Sequence, residues 1–172
     1  RCSELGLTQF PDFGIDIGLV AFFNGLGGSP FVFADIQYAG FSDLDFTGDL
    51  DGVLAVAYTF NFIVPATGEA TDVDGNGYLD TAFAEIYFDP SWDWTDGPAG
   101  YDVETISLHE AGHALSQAHF GNLFLKKGVL SASPKAVMNA FYGGVQRSLL
   151  GTDNGGHCGI WANWPEAGSD VF

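Results

Sequence analysis

Positive charge is scarce in this sequence. Lys and Arg together number 5 against 22 Asp and Glu, a net charge of −17 at pH 7. That balance argues against nucleic acid and anionic membranes as partners, because phosphates are held by a basic surface. Long apolar runs are lacking as well. The most apolar stretch, IGLVAFF at 17–23, falls far short of the roughly 20 residues that span hydrocarbon, so no membrane insertion is expected. It also has neither the basic flank nor the small-residue cleavage site of a secretory leader. No Gly-rich stretch has P-loop or dinucleotide spacing, and no Ser-His-Asp or catalytic-Cys arrangement is visible. Methionine occurs once, at Met138, and cysteine twice, at Cys2 and Cys158.

What remains is a chain of 172 residues, 47% of them hydrophobic, enough to bury a real core as one domain over 1–172. No internal repeat or linker divides it. The excess of carboxylates fits either a solubilising surface or sites that gather cations, and bound Ca²⁺ would relieve the self-repulsion. The two cysteines suggest one disulfide, Cys2 to Cys158, in an oxidising, secreted setting. Two buried free thiols are the alternative.

Along the chain, FVFADIQYAGF (31–41), VLAVAYTFNFIV (53–64) and TAFAEIYFD (81–89) read as strands, rich in aromatic and β-branched residues. The stretches between them, SDLDFTGDLDG (42–52) and ATGEATDVDGNGYLD (66–80), are polar and turn-rich. At Asp102 the period changes. Asp102 is a good helix N-cap and Glu104 sits where the helix dipole favours an acid, so a helix is expected from there to about Leu115. Leu108, Ala111 and Leu115 mark one side of it, His109 and His113 another. Residues 122–144 show no clean period and read as loop. TDNGGHCGIWANW (152–164) reads as a closing helix capped by Thr152.

The densest chemistry lies in HEAGHALSQAH, 109–119. Two histidines one helical turn apart reach a single zinc ion, and a catalytic zinc keeps three protein ligands and one open position. His109, His113 and His119 supply three. Glu110, beside the first ligand, is placed to act as general base. His119 is six residues past His113, so the chain must leave the helix between them. A glycine at 116 would do this freely in a left-handed conformation. Ser116 stands there instead, at a strain of about 1–2 kcal/mol if it takes positive φ, which three held ligands offset. His157 is expected to be a packed or surface histidine rather than a ligand.

Some twenty residues on, AVMNAFY (136–142) follows the pattern A-L-M-x-P-x-Y, with Ala140 in the place of proline. With the three-histidine signature this resembles the matrixin branch of the metzincin zinc peptidases, loosely over about 33–164 and closely at 109–119 and 136–142. The resemblance implies an α+β fold: a twisted mixed sheet, an active-site helix, and an irregular C-terminal part ending in a helix. It implies a secreted zinc endopeptidase with His109, His113 and His119 as ligands and Glu110 as base. It further implies Met138 in a methionine turn beneath the metal and Tyr142 near a substrate pocket, with core packing as the alternative for Tyr142. ADIQY would be a central strand and AEIYFD an edge strand holding an extended peptide or protein substrate. The family's second, structural zinc is not expected, since Val56 stands where that group has a histidine. Only about thirty residues precede FADIQY, so an upstream strand and helix are expected to be missing.

DVDGNGYLD (72–80) begins like a calcium loop, with oxygen ligands at Asp72, Asp74, Asn76 and Asp80 and a glycine for the sharp turn. Phe83 stands where an EF-hand needs glutamate, so this is not one; an ordinary Asx-rich turn is the alternative. Asp43, Asp45, Asp49 and Asp51, with Asp89, form a weaker candidate. Two rival functions stay open. One is a non-hydrolytic, metal-binding extracellular scaffold, which would not need Glu110. The other is a calcium-stabilised surface- or carbohydrate-binding domain built on the acidic loops and Trp92, Trp94, Trp161 and Trp164, which leaves the histidine spacing unexplained.

Overall fold

The computed structural model of the chain describes residues 8, 9, 11–43 and 52–162. Within them a mixed α+β architecture carries three helices and three small sheets. Helix α1 (Leu19–Phe23) is followed by strands β1 (Ile36–Phe41), β2 (Ala55–Asn61) and β3 (Thr81–Phe88). Short strands β4 (Trp94–Thr95) and β5 (Tyr101–Asp102) lead into α2 (Val103–Ala114). Then come β6 (Asn122–Lys126), β7 (Val129–Ser133) and α3 (Gly151–Trp161). No helix among the described residues is long and apolar enough to cross a membrane.

The main sheet has the order β1-β3-β2, with β1 parallel and β2 antiparallel to β3. This corrects the expected strand placement: Thr81–Phe88 is the middle strand, and among the described residues β1 and β2 are the edges. Burial explains it. From Ala84 to Phe88 every residue of β3 is buried, as a strand covered on both faces must be. Ala84, Ile86 and Phe88 point to one side and pack with Ile106 and Ala114 of α2. Tyr87 points to the other, against Ala21 of α1, with Tyr38 and Tyr58 beside it.

Glu85 is the exception on that second face: a fully buried carboxylate in the middle of the sheet. It accepts hydrogen bonds from the backbone N–H groups of Leu19 and Val20, from Gln37 Nε2 and from the Tyr87 hydroxyl. The negative charge thus sits on the first turn of α1, where the exposed N–H groups need an acceptor. Gly18 is required for that approach, since a Cβ there would lie 2.0 Å from the Tyr87 hydroxyl.

Helix α2 begins as the sequence indicates. Asp102 is its N-cap, accepting from the Thr105 N–H at 2.9 Å. The buried side of α2 differs from the one expected. Thr105, Ile106, Glu110, Gly112 and Ala114 are buried, while Leu108, Ala111 and Leu115 are only half-buried. Two further corrections concern the C-terminal third. Residues 122–133, expected as loop, form the β6–β7 hairpin, closed by Lys127 and Gly128 at φ 53° and 78°. Two consecutive left-handed residues make the tight turn that matches strand twist; with lysine in the first position, the composition does not advertise it. Helix α3 is capped at Leu150, not Thr152, and Asp153 accepts from the Leu150 N–H.

Candidate metal centre

Helical spacing sets His109 and His113 one turn apart on α2, and the helix end decides the third histidine. Ser116 has φ 66°. Its N–H donates to the His113 carbonyl at 2.8 Å, and the Gln117 N–H donates to the Gly112 carbonyl at 2.9 Å. This is the paired-bond helix stop that a left-handed residue makes possible. Ser116 therefore fills the glycine role at positive φ, and its hydroxyl bonds that of Thr81. The chain turns back, and His119 arrives over His109 and His113.

The three Nε2 atoms form a near-equilateral triangle. His109 to His113 and His113 to His119 are 3.1 Å, and His109 to His119 is 3.3 Å. His109 Nδ1 faces the Val137 carbonyl at 2.7 Å and His113 Nδ1 faces the Gln117 carbonyl at 2.7 Å. A carbonyl accepts only, so each Nδ1 carries the proton and each Nε2 presents its lone pair. Burial lowers the pKa of both rings, that of His109 to about 4, with the neighbouring imidazoles adding to the effect. Two neutral rings thus aim lone pairs at one point that His119 also reaches, an arrangement that repels itself without a cation. Zinc–nitrogen bonds of about 2.0–2.1 Å in a tetrahedron place nitrogens about 3.3–3.4 Å apart. The donor set fits zinc.

Glu110 is buried, and burial raises its pKa to about 7, with the hydrogen bond from the Ala57 N–H working against that. Its Oε2 has no hydrogen-bond partner among the described residues. A desolvated carboxylate with one free oxygen beside a histidine cluster is suited to proton transfer near neutral pH.

Met138 is 2% exposed and lies under the helix: a Cβ on Gly112 would stand 2.3 Å from its sulfur. Its segment holds the site from three directions. The Val137 carbonyl receives His109, the Met138 carbonyl accepts from the Phe120 N–H next to His119, and Asn139 Nδ2 donates to the Phe120 carbonyl. The turn is in turn fixed by Asp153, whose carboxylate accepts from the N–H groups of Val137 and Met138, both at 3.1 Å. Tyr142 lines the cleft and also packs against the core beside Tyr101; its hydroxyl accepts from the Asp102 N–H at 3.1 Å.

Asp102 is fully buried beneath α2, and Arg147 grips both its oxygens. That guanidinium holds the Asp102 carboxyl well below the usual carboxylate range, against the opposing effect of burial. Gly112, Asp153 and the Asp102–Arg147 pair carry no motif signature: their roles depend on partners 26, 15 and 45 residues away. The one local hint is Asp153 itself, an acid in the first turn of a helix.

Asp72, Asp74 and Asp80 bring carboxylate oxygens within 4.8 Å of one another. Asn76 turns elsewhere: its oxygen accepts from the Tyr78 N–H and its amide donates to Asp74 and to the Ile160 carbonyl. Asp45, Asp49 and Asp51 lie outside the described residues, as do Trp164 and Cys2. Cys158 is disulfide-bonded. His157 is on α3, outside the three-imidazole cluster.

No protein-family model matches the chain, and no curated protein does either.

The histidines open onto a cleft of about 1060 Å³. Val53–Ala57 and Thr59, which include the first part of β2, form one wall, and the segment around Met138 and part of β7 the other. Strand β2 faces it along the side not paired to β3.

Proposed function

We propose that the protein is a zinc-dependent endopeptidase of metzincin, matrixin-like type, secreted into an oxidising compartment. The observation that carries this reading is the triangle of three Nε2 atoms with buried Glu110 beside it and one carboxylate oxygen unpartnered. His109, His113 and His119 would hold the ion. When bound, zinc supplies Lewis acidity, polarising a carbonyl oxygen and making water more acidic. Glu110 takes a proton from water entering the cleft and returns it to the leaving amine. Val137 and Gln117 carbonyls keep the rings of His109 and His113 in the tautomer that leaves Nε2 free. The outer edge of β2 pairs with an extended substrate backbone, taking the role first expected of AEIYFD. Tyr142 contributes to the cleft lining.

Asp72, Asp74 and Asp80 belong to the same reading as ligands of a stabilising calcium ion. A rise in thermal stability on adding calcium to the chelated protein, absent in Asp80→Asn, is expected there.

Peptidase function is tested by incubating the zinc-loaded chain and its Glu110→Gln variant with a mixed peptide library while zinc content is measured by mass spectrometry. Equal zinc and cleavage only by the unsubstituted chain is the expected result. Stoichiometric zinc with no cleavage by either would remove the peptidase and favour a non-hydrolytic metal scaffold.

A further inference from the structure

The charge of this chain is segregated. Residues 111–152 contain no Asp or Glu, yet they hold four of the five Lys and Arg. All three lysines, Lys126, Lys127 and Lys135, lie on the β6–β7 hairpin or two residues beyond it. Arg147 is committed to Asp96, Asp102 and Glu104, and among the described residues these are the ion pairs. The lysines are left facing outward.

The hairpin is also unusually apolar for an exposed element. Leu123 pairs with Ala132 and Leu125 with Leu130, so these four share one aliphatic face. Leu125 is 73% exposed, Leu123 47% and Leu130 44%. A two-stranded hairpin is marginal by itself, and an uncovered aliphatic face of this kind marks an interaction surface. Its placement says with what. Leu130, Ser131 and Ala132 line the same cleft as the three histidines, so the aliphatic face continues the cleft wall. Among the described residues, and apart from the histidines, the only carboxylate, ammonium or guanidinium side chains lining that cleft are Glu110, sunk beside the imidazoles, and Lys135, which is exposed. Among the described residues, a chain of −17 thus lines its cleft with one exposed charge, and that charge is positive.

We propose that the β6–β7 hairpin and Lys135 form a recognition extension of the cleft for an acidic, aliphatic-bearing polypeptide segment. The inference rests on the reading of the cleft as a peptidase site and names its substrate class. Leucine-like side chains of the segment lie on Leu123, Leu125 and Leu130, and its carboxylates meet Lys135; Lys126, paired with Val129, is on the other face of the hairpin. The local cations matter because the long-range field of the molecule opposes such a ligand, and that field fades beyond about 8–10 Å in physiological salt. A lipid surface fits less well, since Leu130 and Ala132 of the aliphatic face line the cleft.

The test measures fluorescence anisotropy of labelled twelve-residue peptides of repeating Leu-Glu-Ser on the full chain carrying Glu110→Gln, with zinc present. The counterparts have Gln or Lys in place of Glu. The expected order is Glu tightest by at least fivefold, then Gln, then Lys. K135E reverses the Glu and Lys peptides, and K135Q brings all three within about twofold. Tightest binding of the Lys peptide, which a net charge of −17 alone dictates, overturns the proposal. So does an order that K135E and K135Q leave unchanged. Co-sedimentation with phosphatidylglycerol vesicles, lost on changing Lys126 and Lys127 to Glu and accompanied by no peptide order, overturns it in favour of a membrane surface. Zinc-loaded unsubstituted chain that cleaves an unbiased peptide pool without this order refutes the inference alone. The order without any cleavage sustains the inference as a binding preference and refutes the peptidase reading alone.

Discussion

Gly112 on α2, the helix that carries His109 and His113, and Met138 beneath it are in direct contact, so close that glycine is the only residue the position accepts without movement. A Cβ at 112 would sit 2.3 Å from the Met138 sulfur and 3.0 Å from its methyl. Gly112→Ala is expected to destabilise the chain by about 1–3 kcal/mol through overpacking, seen as a lower thermal midpoint. Met138→Ala alone costs about 2–5 kcal/mol for the cavity. The double variant should lose clearly less than the sum, because each change relieves the other. Additive losses would mean that the contact is not what excludes a side chain at 112.

Ser116 sets a second expectation. Its left-handed backbone costs about 1–2 kcal/mol, and its hydroxyl bond to Thr81 returns about 1 kcal/mol. Ser116→Gly removes both and should leave stability within about 1 kcal/mol of the unsubstituted chain. Ser116→Ala keeps the strain and loses the bond, so it should be the least stable of the three in urea unfolding. If alanine matches serine, the Thr81 bond contributes nothing.

The third expectation concerns acid. Asp102 has its folded pKa held below its ordinary 3.8 by Arg147. As pH falls below about 4 the unfolded chain binds a proton that the folded chain refuses. Stability is therefore full above that pH and drains away as pH falls toward the folded pKa. Asp102→Asn lacks this carboxylate: it should be less stable than the unsubstituted chain at pH 7, and the gap should narrow steadily between pH 5 and pH 2. Thermal midpoints measured across that range decide it, and a constant gap would disprove the coupling.

Asp153 is 2% exposed and accepts three backbone N–H groups, those of Val137, Met138 and Leu150. Asp153→Ala leaves the Val137 and Met138 N–H groups buried without a partner, at a cost of roughly 2–3 kcal/mol. Because the Val137 carbonyl orients His109, zinc affinity should also fall by about tenfold or more. Competition with a fluorescent chelator measures this. Unchanged affinity in a folded variant would show that the turn holds the imidazole without Asp153.

Sequence alone was enough for most features whose cause lies within a few residues. The Asp102 cap, the helix that follows, the i, i+4 histidines and the need to leave that helix near 116 all follow from local geometry and short hydrogen bonds. So do the three long strands, whose side chains alternate or run apolar. The turn at Lys127 and Gly128 and the α3 cap at Leu150 are local too, yet no composition marks them: lysine seldom takes a left-handed conformation, and leucine has no capping side chain. Tertiary structure decided the rest. Which strand lies in the middle depends on what covers each face of β3. That three imidazole nitrogens meet at 3.1–3.3 Å depends on Met138, Asn139 and Asp153 holding the segments around them. Those partners come from helices and turns far apart in the chain, and only burial against one another, which no local pattern encodes, selects them.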